Sequence, residues 1–113
     1  MNFRTERVGK LIREELAKII IREIEFAPGT LVTITEVDVD KKLEHAKVKV
    51  SVLPSASATS ALAALGAAAG SLQYLLMKKI NIKPMPRIAF ASDRGPERAA
   101  TVEKILYDGK IGG

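Results

Sequence analysis

From residue 50 to residue 77 the chain carries no charged side chain, a stretch that must either be covered by the rest of a folded domain or lie in a membrane. A helical span needs about 20 predominantly apolar residues in a row. Here the run is broken by Pro54, five serines, Thr59, Gly66, Gly70 and Gln73, and its most apolar part, residues 61–77, is alanine-rich and at the short limit for a span. The expectation is therefore a core element of a soluble domain, with no membrane as partner.

Upstream, Val8, Leu11, Ile12, Leu16, Ile19, Ile20 and Ile24 recur at three- and four-residue steps, with charged residues between them. That period predicts a long amphipathic helix ending near Phe26, because Pro28 disfavours helical geometry at Ala27 and Gly29 supplies a turn. Residues 31–39 are rich in β-branched side chains, but their apolar phase shifts from Val32 and Ile34 to Val37 and Val39, which calls for a bulge or bend near Glu36. Residues 46–52 then alternate Val48, Val50 and Val52 with Lys47, Lys49 and Ser51, so the two strands read as an antiparallel hairpin with one wet face.

Pro54 closes the second strand, and Ser57, Thr59 or Ser60 can cap a helix through Leu62 and Leu65. Gly66 and Gly70 interrupt the helical pattern before Leu72, Leu75, Leu76 and Ile80 resume it, which reads as two helices meeting at a glycine kink. A third strand is expected over residues 87–91, starting after Pro86, which cannot donate to a ladder. A last helix is expected over residues 96–107, burying Val102, Ile105 and Leu106, with a loose tail at 109–113. Helices on one face of a small three-stranded sheet make an α+β fold, and 113 residues suit one domain.

The absence of cysteine excludes disulfides and thiolate chemistry and fits a cytoplasmic protein; with His45 as the single histidine, a metal site would have to rest on carboxylates and a histidine-based triad on that one residue, which reads as a surface side chain. Charges at Arg4, Glu6, Arg7, Lys10 and Arg13 stand where a signal peptide would need its apolar run, so no secretion is expected. The net charge is +5, yet residues 46–92 hold Lys47, Lys49, Lys78, Lys79, Lys83 and Arg87 with no acid, so the remainder of the chain sums to −1. A cationic surface beside small residues points first to nucleic acid.

The order of elements, with a glycine between the two middle helices, resembles a type II KH domain in which Ala68-Ala69-Gly70 replaces the GxxG loop. An Ala-x-Gly at that place is similar to the bacterial ribosome-binding factor A family. Arg7-Val8, Val32-Thr33-Ile34-Thr35-Glu36-Val37, Leu43-x-x-Ala46-x-Val48-x-Val50-Ser51 and Pro86-x-Ile88-x-Phe90-x-x-Asp93 carry the same resemblance, over about residues 4–106. The chain departs from the family's usual pattern at Ala27-Pro28-Gly29, at Lys42, and at Gln73, where an arginine is common. What the resemblance implies is a monomeric, non-enzymatic factor that binds the immature small ribosomal subunit and its rRNA, near the decoding region. It would assist late maturation, including processing of the rRNA 5′ end, and support growth in the cold, with no cofactor and no metal.

On this reading Ala68, Ala69 and Gly70 face rRNA, Gly70 bringing helix-start amides close to phosphate oxygens, with Gln73 beside them. Lys78 and Lys79 fit the negative end of a helix with no ligand at all, but Lys83 and Arg87 lie beyond it and favour a phosphate-facing patch. Arg4, Arg7 and Lys10 are further RNA candidates, although the glutamates interleaved with them suit a solvated, near-neutral face. Lys47 and Lys49 read as ordinary solvated charges, Asp38 and Asp40 as a turn entrance, and most of the few aromatics as core, which disfavours base stacking. Two competing classes remain: a protein-interaction domain without RNA contact, whose association would ignore salt, and a small hydrolase using Asp38 and Asp40.

Overall fold

In a computed structural model that describes residues 3–93, the first helix, α1, spans Phe3–Glu23 and buries Val8, Ile12, Leu16, Ile19 and Ile20 along one stripe. It stops short of the expected Phe26. The amide of Ile24 still donates to the Ile20 carbonyl at 3.0 Å, but the next turn would need an N–H from Pro28, which has none. Leu11 also differs from expectation: it is 38% exposed, at the edge of the stripe.

Strand β1 (Leu31–Val39) pairs antiparallel with β2 (His45–Leu53). The register runs Val32↔Val52 and Ile34↔Val50 and resumes at Glu36↔Lys49, leaving Thr35 as the extra residue of the bulge that the phase change called for. The bulge keeps Val32 and Ile34 before it and Val37 and Val39 after it on the core side. It also aims the Thr35 hydroxyl at the Lys49 carbonyl (3.2 Å) and the Asp93 carboxylate (2.5 Å), so Asp93 ties the end of the third strand back to β1. That third strand, β3 (Arg87–Ser92), begins directly after Pro86 and lies parallel to β2, giving the order β1-β2-β3.

Between β2 and β3, after a short 3₁₀ turn at Ser55–Ser57, runs the second helix, α2 (Ala58–Lys79). Ser57 holds the N-cap position without a side-chain cap bond. The expected pair of helices meeting at a glycine kink is instead this single helix, continuous through Gly66 and Gly70. The physical reason is phase: Ala61, Leu65, Leu72 and Leu76 are all buried, with Ala68 packed against the same core, so one 3.6-residue period crosses both glycines. Glycine inside a helix costs about 1 kcal/mol relative to alanine, which this packing readily outweighs. The expected helix at 96–107 and the tail at 109–113 lie outside the described residues.

Both helices cover one face of the sheet, and Ile12, Leu16, Val48, Val50, Leu65, Leu72 and Leu76 are fully enclosed. By length and composition alone, residues 55–79 would be long and apolar enough to cross a membrane. In the fold, that helix supplies four buried core residues against the sheet and α1.

Gly9 sets how closely α1 lies on β1, because a Cβ there would stand 2.9 Å from the backbone oxygen of Val37. Gly9→Ala therefore gains about 1 kcal/mol of helix propensity and loses about 1–3 kcal/mol to overlap with a strand that cannot yield. The expected outcome is a net loss of about 1 kcal/mol in a urea melt; a variant as stable as its parent would mean that α1 can ride outward freely.

Candidate nucleic-acid interface

The acid-free stretch of sequence is not acid-free in space. In the β1–β2 ladder Lys47 stands opposite Asp38, and the Lys49 ammonium lies 3.5 Å from the Glu36 carboxylate. Lys49 is thus ion-paired, and Lys47 stands cross-strand from an acid without an ion pair among the described residues, both on the outer sheet face as ordinary solvated charges. The positions of Asp38 and Asp40 are accounted for by the ladder and the turn. Asp40 accepts hydrogen bonds from the amides of Glu44 (2.8 Å) and His45 (3.3 Å), closing the hairpin turn, with the exposed His45 ring 3.2 Å away. The Glu44 amide holds the Asp40 carboxyl below the usual carboxylate range. Ligand atoms of Asp40, Glu44 and His45 lie within 4.8 Å of one another, and the turn itself accounts for their proximity. Leu43 adopts φ 59° in this turn, a strain offset by burial of its side chain.

The other cations gather at one end of the molecule. Gly9 of α1 lies against Val37 and Val39, so the first turns of α1 project past the end of β1. The Arg87 amide donates to the Glu44 carbonyl at 2.9 Å, which brings the start of β3 to the same end. The Arg4 guanidinium donates to the Lys83 carbonyl at 3.4 Å, joining α1 to the segment that follows α2. Arg4, Arg7 and Lys10 thereby come together with Lys83 along one groove, while Lys78 and Lys79 close α2 nearby. Among the described residues, Arg7, Lys10, Lys79, Lys83 and Arg87 make no ion pair. The cationic end also carries the turn acids Asp40 and Glu44, and at the opposite end lie Arg22 with its partner Glu23, Glu25, Pro28 and the start of α2. The helix-1 cations, which the sequence mixes with glutamates, belong to the same surface as the later lysines.

The middle of α2 differs from expectation in its chemistry. With no helix start at Gly70, the amides there are engaged within the helix and cannot reach phosphate oxygens. Ala68 and Ala69 are half-buried, whereas Gly66 and Gly70 lie on the outer face, where an added Cβ would meet nothing within 4 Å. Tyr74, one of the aromatics that periodicity mostly claimed for the core, is 60% exposed one turn past Gly70, with the Lys78 ammonium 5.1 Å from its ring centre. Tyr74, Asn81 and Ile82 are surface residues that sequence reasoning passed over; only the position of Asn81 and Ile82 between Lys79 and Lys83 hinted at them.

Gln73 turns inward. Its amide nitrogen donates to the Pro86 carbonyl at 2.9 Å, and its oxygen accepts from the Ile88 amide at 2.8 Å, clamping α2 to the start of β3. An arginine could replace the donor but has no acceptor for the Ile88 amide. Gln73→Arg, which restores the residue common in the resembling family, is therefore expected to cost about 1–3 kcal/mol in chemical denaturation. Unchanged stability would show that this clamp contributes nothing.

Residues 4–106 match the family profile described as Ribosome-binding factor A. The Ribosome-binding factor A of Ectopseudomonas mendocina (strain ymp) is 38% identical over 113 residues, covering 93% of this chain and 88% of the relative. The crystal structure of ribosome-binding factor A from Thermus thermophilus superposes with a TM-score of 0.68 at 22% identity, over 80% of this chain and 98% of that one. A Thermus thermophilus ribosome-binding factor A homology model, fitted into the cryo-EM map of a 30S complex of that factor, gives 0.63 at 26% identity, over 74% and 88%.

Proposed function

The chain belongs to the ribosome-binding factor A family, and from that membership and the cationic end of its fold we propose that it is an assembly factor that binds the immature small ribosomal subunit and its rRNA. The observation that carries this reading is the collection of Arg7, Lys10, Lys79, Lys83 and Arg87 at one end, unpaired among the described residues, while the lysines of the sheet face acids. Cations left unneutralised at one pole of a small domain attract a polyanion and orient its approach. The 30S complex of the Thermus thermophilus relative supports the small subunit as the target.

In this reading Lys78, Lys79, Lys83 and Arg87 hold rRNA phosphates, Arg4, Arg7 and Lys10 extend the same surface, and the outer face of α2 at Gly70, flanked by the half-buried Ala68 and Ala69, lies against the rRNA backbone. Gln73 supports that face from behind rather than touching RNA. The protein acts as a monomer in the cytoplasm, by binding rather than by catalysis, and needs no cofactor. Its occupancy of late precursors assists their maturation, including processing of the rRNA 5′ end, and sustains growth in the cold.

Fractionating a lysate on a sucrose gradient tests this. The protein is expected with free small subunits and absent from translating ribosomes, and released by raised salt. Association that persists through salt and nuclease treatment would instead identify a protein partner.

A further inference from the structure

We infer that the groove between α1 and residues 81–83 receives one unstacked rRNA nucleotide, its base held between Leu11 and Ile82 and its flanking phosphates on Arg7, Lys10 and Lys83, an assignment that presupposes the rRNA reading above and narrows it to splayed or single-stranded RNA. The groove encloses about 700 Å³, within the range of roughly 300–1,000 Å³ typical of small-ligand clefts. Its floor is apolar: Val8 is buried, Ile82 half-buried, and Leu11 stands 38% exposed although its neighbour Ile12 is fully enclosed. Its rim is cationic on both walls, with Arg4, Arg7 and Lys10 from α1 and Lys83 opposite, and Glu14 is the one acid among the described residues that lines it. The Arg4 guanidinium bound to the Lys83 carbonyl ties the two walls together.

Those two features need different parts of one ligand. Phosphates satisfy the rim, but the charged ribbon of a stacked duplex offers nothing to an apolar floor; a nucleotide turned out of its stack offers both a phosphate on each side and a flat apolar face. Asn81, with one donor and one acceptor group, lies where it can meet the polar edge of such a base. An acidic peptide could meet the cations of the rim but brings no flat apolar face to the floor at Leu11 and Ile82. Lys78 and Lys79 end α2 just before the Asn81–Lys83 wall, adding cations for a strand that runs on past the groove.

The test uses the full chain and a fluorescein-labelled eight-nucleotide single-stranded RNA, the same sequence as a duplex, and versions with one abasic position. The single strand is expected to bind more tightly than the duplex, and one abasic position is expected to lose about fivefold or more. Leu11→Gln is expected to lose the same factor, to leave the slope of affinity against salt unchanged, and to become indifferent to the abasic position. The abasic arm needs no variant, so it stands even if Leu11→Gln folds poorly. Equal binding of single strand, duplex and abasic strand would overturn the assignment, as would displacement of the RNA by an acidic peptide at matching concentration. Should those results appear while the protein still travels with small subunits, the groove assignment alone falls.

Discussion

Replacing Lys78, Lys79, Lys83 and Arg87 together by glutamine is expected to weaken binding to small-subunit rRNA by about 10²–10³ at 0.15 M salt, since each phosphate neutralised contributes roughly fivefold there through counterion release. The slope of log affinity against log salt should flatten by about 3. The melting temperature should barely move. All four side chains are exposed, and none makes an ion pair among the described residues, so their removal breaks no folded-state contact except the exposed Lys78–Tyr74 approach. A folded quadruple variant that binds as well as its parent would remove phosphate contact from these residues. The control is Lys47→Gln with Lys49→Gln: these cations face Asp38 and Glu36, and their loss should change rRNA affinity little.

The second large effect has opposite signs in stability and in binding. Gly66 and Gly70 sit inside an exposed helical face with no left-handed φ and with open space where a side chain would go. Alanine at both should therefore stabilise the domain by about 1–2 kcal/mol through helix propensity and reduced unfolded-state entropy. If the outer face of α2 lies against the rRNA backbone, the two added methyl groups hold the helix away from it, and binding to small subunits should fall by about tenfold, equivalent to about 1.4 kcal/mol. A variant that melts higher and binds as before would show that this face looks into solvent in the complex.

Most of the fold could be read from residue patterns because local chemistry and burial agree there. The phase shift between Ile34 and Val37 located the β1 bulge, and Pro86 located the start of β3. The glycines of α2 misled for a definable reason: their low helix propensity is a local preference, whereas Ala61, Leu65, Leu72 and Leu76 jointly hold one phase against the sheet. Pro28 disfavours helix at Ala27 by its ring, but its missing N–H acts a turn earlier, at Ile24.

The site was legible in part. Charge along the chain marked Lys78, Lys79, Lys83 and Arg87 as a group, but it also counted Lys47 and Lys49, which have acids of the neighbouring strand across from them. Conversely, Arg4, Arg7 and Lys10 were diluted by glutamates in sequence and joined to Lys83 only by the packing of α1 beside the end of α2. The polar role of Gln73 depends on two backbone groups of the β3 entrance, which no spacing rule connects to it.

The central claim is that one end of this molecule meets rRNA and the other does not. A photo-crosslinking amino acid placed at Lys83, and separately at Arg22 near the far end of α1, tests it in isolated precursor subunits. The expected result is a crosslink to small-subunit rRNA from position 83 and none from position 22; crosslinks to ribosomal protein alone from position 83, or to rRNA equally from both, would contradict it.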